Sequence, residues 1–148
     1  MKLPEYVTKA EVKKVCRELK LKDWSVRKDS KVTKEEAAII LKAANTGGMK
    51  VPVEEFRMGL EVELEHGLHF PDANVTNNHP LLTARIVLAH LKETLDYYVR
   101  LNIAEIEGDL LKAYQAGDAA KLASKYALLL KAKAALAAHE AEVIARQE

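Results

Sequence analysis

Several features that commonly announce a function are missing from this sequence. A single cysteine, Cys16, stands in 148 residues. That excludes an intramolecular disulfide framework and fits a reducing compartment. No apolar run approaches the roughly 18 residues a bilayer-spanning helix needs. No charged segment followed by an apolar one opens the chain in the manner of a secretory leader. The expectation is a cytoplasmic protein with no membrane role. Net charge is only +1, so no global field argues for nucleic acid. No phosphate loop, zinc-finger spacing or Gly-x-Ser-x-Gly elbow occurs.

What is present is a chain with 49% hydrophobic and 30% charged residues, enough for a core and a well-solvated surface. Charge is placed unevenly: 14 Lys and Arg face 9 Asp and Glu up to Arg57, and 9 face 13 thereafter. A basic front and acidic back would steer a partner, and a solvated helical surface explains the same pattern.

The apolar residues recur at helical spacing throughout. Thr8 and Glu11 predict a capping box at the start of a helix to Leu19, with Cys16 as buried filler on its apolar side. Thr33 and Glu36 repeat the box for a helix to about Ala44, stopped at Thr46-Gly47-Gly48. Lys50 to Phe56 resembles the end of a calcium loop, but the ligand positions counted back from Glu55 carry no carboxylate. Pro52 suits the first turn of a third helix, run to about His66 and ended by Gly67. After a connector, His79-Pro80 opens the longest helix, predicted to about Tyr114 with Gly108 a weak point. Ala116-Gly117 breaks it, and Asp118 caps a last, alanine-rich helix. The expected fold is all-α: a small N-terminal two-helix lobe (1–50) packed on a bundle of about three longer helices (51–148), together one compact domain.

The chemistry-bearing residues lie between Phe56 and Tyr98. On a helical wheel Glu63 and His66 sit at the edge of a buried stripe, while Glu61 and Glu65 turn to water. Further on, His90, Glu93 and Tyr97 share a face with Ile86, Val87 and Leu101. Isolated buried charge is costly, so these groups need partners. A Glu-x-x-His pair and its reverse, His-x-x-Glu, on facing helices match the spacing of carboxylate-bridged di-metal sites in bundles. Glu63, His66, His90 and Glu93 are therefore the expected metal ligands, for iron or zinc. Tyr97 is an outer hydrogen-bond donor; His69, Asp72 and His79 are alternative ligands. Two helices supply what four usually do, so a homodimer completing the set is expected. A structural His/Glu cluster in a non-enzymatic protein-interaction module is the alternative, and metal-free acid–base catalysis a third reading. Trp24 among Lys20, Lys22, Arg27 and Lys28 would stack bases in a nucleic-acid patch; a core anchor in a solvated connector is the preferred reading.

The run Phe56-x-x-Gly59-Leu60-Glu61-Val62-Glu63-Leu64-Glu65-His66-Gly67, with Asn74-Val75-Thr76 and Ala89-His90-Leu91-x-Glu93-x-x-Asp96-Tyr97-Tyr98, resembles an uncharacterised family of small bacterial and phage proteins, a domain of unknown function. That resemblance implies no activity. The Glu-x-x-His pair is separately similar to the motif of ferritin-like proteins, which implies iron chemistry. The long connector, the reversed second pair and the N-terminal lobe depart from that pattern.

Overall fold

The computed structural model describes residues 7–145. Every regular element among them is helical: α1 (Lys9–Glu18), a short 3-10 turn (Trp24–Val26), α2 (Lys34–Ala44), α3 (Val53–His69), α4 (Pro80–Glu93), α5 (Tyr97–Gln115) and α6 (Ala119–Ala145). The chain divides into two compact units, Met1–Leu95 and Asp96–Glu148. The expected N-terminal lobe lies in the same unit as α3 and α4.

In the first unit α1 and α2 start where their threonine caps dictate. The Thr8 hydroxyl accepts from the Glu11 N–H at 3.2 Å. The Thr33/Glu36 capping box is complete, with both reciprocal bonds at 3.1 Å, which satisfies two of the donors a helix start leaves unpaired. α1 buries Val12, Val15 and Cys16; α2 buries Ala37, Ile40 and Ala44; α3 buries Phe56, Gly59, Leu60 and Leu64. Each set is one face at three- and four-residue spacing. α2 packs on α3 and α4, α3 packs on α4, and α1 packs on the Trp24 turn and α4. Trp24 is fully buried, and its backbone N–H donates to Cys16 Sγ at 3.4 Å. Burial raises the Cys16 thiol above its ordinary pKa, which leaves it a core side chain and not a nucleophile. Glu61, expected to face water, is half-buried. It accepts from the Val32 N–H and from Arg57, each at 2.9 Å, and so ties α3 to the start of α2.

The second unit is an antiparallel helical hairpin. Gly117, at φ 66°, closes α5: its N–H donates to Tyr114 O and the Asp118 N–H to Ala113 O, both at 3.0 Å. This is the Schellman arrangement, and its left-handed residue is the one that favours glycine. The Asp118 carboxylate then caps α6 by accepting from the Lys121 N–H at 2.9 Å. The ion pairs Asp109–Lys125, Glu107–Lys133 and Arg100–Glu140 cross the hairpin.

Two boundaries differ from the sequence expectation. Residues 80–114 are two helices, because Thr94 leaves the helical region (φ −160°, ψ 143°) and α5 restarts at Tyr97. No glycine or proline marks the break. Thr94 is β-branched, and Asp96 prefers a cap to a helix interior; its carboxylate takes two bonds from Arg100, at 3.0 and 2.8 Å. Gly67 does not end α3, which continues to His69. Among the described residues no helix is long and apolar enough to cross a membrane.

Candidate functional site

Glu63 sits on α3 between the buried Leu60 and Leu64, and His90 on α4 beside the buried Leu91. Packing of those neighbours aims both polar groups at the seam between the helices. His90 Nδ1 lies 3.3 Å from Glu63 Oε1, with the side chains 29% and 15% exposed. Glu63 has a second surrounding. With His66, one turn on, it lines a cleft of about 170 Å³ whose walls include Phe70, Asn74, Thr83 and Ile86. Most of this lining is apolar or neutral, and among the described residues the carboxylate of Glu63 is the one acidic group in it.

The connector between α3 and α4 makes one wall of the cavity. Asn74 Nδ2 donates to Gly67 O at 3.0 Å and to Asn78 Oδ1 at 2.8 Å. The Thr76 hydroxyl donates to Asn74 Oδ1 and accepts from the Asn78 N–H, both at 3.2 Å. Asn77 and Asn78 adopt φ 48° and 59°, the left-handed region that asparagine tolerates better than most residues. Asn77 Nδ2 also donates to Val7 O. Glycine at position 67 leaves room for two asparagine side chains: a Cβ there would stand 2.3 Å from Asn78 Oδ1 and 2.8 Å from Asn74 Nδ2, so both amide ends would have to shift. Gly67→Ala is therefore expected to break the Asn74 bonds and cost about 1–3 kcal/mol, the penalty of buried polar groups left unpaired. Urea unfolding measures it, and an unchanged midpoint would remove this role.

Of the expected ligands, Glu63 and His90 are brought together. His66 shares the cavity with Glu63 but is itself largely exposed, and Glu93 is exposed at the end of α4. Tyr97 opens α5 in the second unit, its ring 5.2 Å from that of Tyr98. His69 is exposed, 3.8 Å from Glu65, and Asp72 is exposed. His79 is buried and occupied: its Nδ1 accepts from the N–H groups of Leu81 and Leu82 at 3.2 and 3.4 Å, capping α4. Among the described residues no group of three or more His, Cys, Asp or Glu side chains is placed to hold a metal ion. Sequence reasoning missed Gly67, Asn74, Asn78 and Thr83. The asparagine-rich run 74–78 was the available signal, since that residue is enriched where φ is positive.

A second polar cluster lies at Trp24. The Arg27 guanidinium stands 5.2 Å from the indole centroid and 3.9 Å from Glu36. Trp24 Nε1, Arg27 Nη1 and Glu36 Oε1 are buried without a hydrogen-bond partner among the described residues. A fully buried indole cannot stack on bases, so the patch reading of Trp24 fails and the core-anchor reading holds.

The family model described as Protein of unknown function (DUF5661) matches residues 12–107. It takes in α2, α3, α4 and most of α1, ends inside α5, and leaves out α6. No curated protein and no solved structure matches the chain.

Proposed function

The chain belongs to the DUF5661 family, and from that premise we propose that it is a binding protein whose ligand enters the α3–α4 cleft and is anchored on Glu63. The observation that carries this reading is that one carboxylate faces both a cavity of about 170 Å³ and an imidazole 3.3 Å away. His90 lies against the carboxylate on one side, and the cavity borders it on the other. A volume of this order takes a one-ring molecule, since cavities of about 150 Å³ hold benzene. The apolar walls and single acid select a small cation with an apolar body.

Benzamidine is a suitable probe, with binding followed by amide chemical shifts. Shifts are expected to cluster at Glu63, Gly67, Thr83 and Ile86, and Glu63→Gln is expected to weaken binding at least tenfold while leaving the helical circular dichroism unchanged. Equal affinity of the variant, or shifts elsewhere, would overturn the reading.

The same 3.3 Å separation favours a second reading, metal binding. It is about the spacing of adjacent donors around a tetrahedral zinc, whose bonds to nitrogen and oxygen run ~2.0–2.2 Å. Glu63 and His90 would fill two positions for zinc or iron, and an exogenous ligand or water the others. Titration with zinc separates the two readings: tight uptake abolished by His90→Ala supports metal, and uptake indifferent to His90 removes it.

A further inference from the structure

A second cleft opens between α4 and the turn that follows α2, within the first unit. Its volume is about 490 Å³, inside the ~300–1,000 Å³ range of small-molecule sites. The floor is apolar, with Ala44 and Leu88 each 7% exposed. The far wall is braced by Asn45, whose Nδ2 donates to Met49 O at 2.7 Å and whose Oδ1 accepts from the Met49 N–H at 3.1 Å. Both ends of that amide are committed to holding the turn. The near wall carries Arg85 and Lys92, both exposed on α4. Seven residues apart, they share one face of the helix about 10.5 Å apart along its axis. The small Ala89 between them keeps the space open. Among the described residues no carboxylate lines the cleft, and none is paired with either cation. Within α4 no Asp or Glu stands three or four residues from either one, the spacing of helical ion pairs. Arg27, Arg57 and Arg100, by contrast, are each held by a carboxylate.

We propose that this cleft binds a small molecule with a phosphate group at each end, one on Arg85 and one on Lys92, its neutral middle lying over Leu88 and Ala89. Two unopposed cations beside a neutral floor select a ligand with two anionic groups and an uncharged centre. The guanidinium of Arg85 offers a planar fork that matches two phosphate oxygens, and the Lys92 ammonium meets the other phosphate as a point charge. A polyanion such as nucleic acid is a poorer fit. Its affinity grows with the number of phosphates neutralised, and here the run of cations is two long: one turn before Arg85 stand Leu81 and Leu82, and the α2 side of the lining carries no cation. Neither Glu63 nor His90 lines this cleft, so the proposal does not depend on the ligand reading of the α3–α4 site.

The test is isothermal titration calorimetry of the full chain with fructose 1,6-bisphosphate, a probe with two phosphates on a neutral body, and with inorganic phosphate as the single-anion control. The bisphosphate is expected to bind one to one and at least tenfold more tightly than phosphate. Arg85→Gln and Lys92→Gln are each expected to weaken it at least tenfold, to about the level of phosphate itself. Both side chains are exposed, so the helical circular dichroism stays unchanged. Lys28→Gln removes a cation of the same unit that does not line the cleft, and is expected to leave the affinity within about twofold. No binding at millimolar bisphosphate, equal affinity for phosphate, or an equal loss through Lys28→Gln would overturn the proposal. Tighter binding of hexaglutamate or of a short single-stranded DNA would overturn the assignment to a small molecule.

Discussion

Replacing Trp24 by alanine is expected to remove about 3–5 kcal/mol of stability, the range for deleting a large buried aromatic side chain. Against a typical total of ~5–15 kcal/mol, that is enough to bring the first unit near its unfolding midpoint under mild conditions. The reason is local and threefold. The indole is fully buried, its backbone N–H is held by Cys16 Sγ, and Arg27 lies across its face. Truncation opens a cavity beneath a guanidinium that is itself largely withdrawn from water. Arg27 and Glu36 then lose the apolar shelf that fixes their geometry, and Glu36 is half of the α2 capping box. Guanidinium unfolding monitored by circular dichroism measures the effect. A loss under about 1 kcal/mol, the size of an ordinary surface substitution, would mean that the tryptophan does not anchor the α1–α2 connection. Trp24→Phe, which keeps most of the buried ring, is expected to lose markedly less.

Acid should weaken the same unit through His79. The imidazole is buried and its Nδ1 lone pair accepts from two helix N–H groups, an arrangement only the neutral ring can make. Burial holds its pKa below the ordinary value near 6.5, partly offset by the carboxylate of Glu11. The unfolded chain therefore takes up a proton that the folded chain refuses. Above about pH 6.5 both states are neutral here and the full contribution is present; it is lost as pH falls from there through the lower folded-state value. Asp23, Glu54 and Asp109 are instead held below the ordinary carboxylate range by hydrogen bonds to Ser25, Arg57 and Lys125. They therefore act at lower pH and do not mimic the histidine. His79→Asn keeps an accepting cap and is expected to flatten stability between pH 7 and 5. His79→Ala is expected to cost about 2 kcal/mol at pH 7, the upper end for a lost cap. A wild-type midpoint that does not move between pH 7 and 5 would remove His79 as the acid-sensitive group.

These two residues also show what the chain discloses in one dimension. Trp24 was legible as a core anchor because an aromatic group in a polar connector has little else to do in a small helical protein. His79 was legible as the opening of a helix, since Pro80 follows it, but its use of a ring nitrogen as the cap was not. That depends on how the folded chain buries the ring. For the candidate site the division is similar. Helical spacing put Glu63 and His90 on inward edges of their helices. Spacing along one helix says nothing of register between two, so the wheel grouped Glu93 and Tyr97 with His90 although one is exposed at a helix end and the other begins a different helix.

The sequence by itself determined that this protein is all helical and where most of the caps fall, because those follow from interactions within one or two turns of chain. It also carried the family resemblance to a domain of unknown function, now matched over residues 12–107. Only the tertiary structure decided that Glu63 meets His90, that Gly67 leaves room for two asparagine side chains and does not end a helix, and that the long helix parts at Thr94. Each of these turns on contacts between residues distant in sequence or on a backbone break with no glycine or proline to mark it. Register and close approach are properties of packed elements, and no local propensity encodes them.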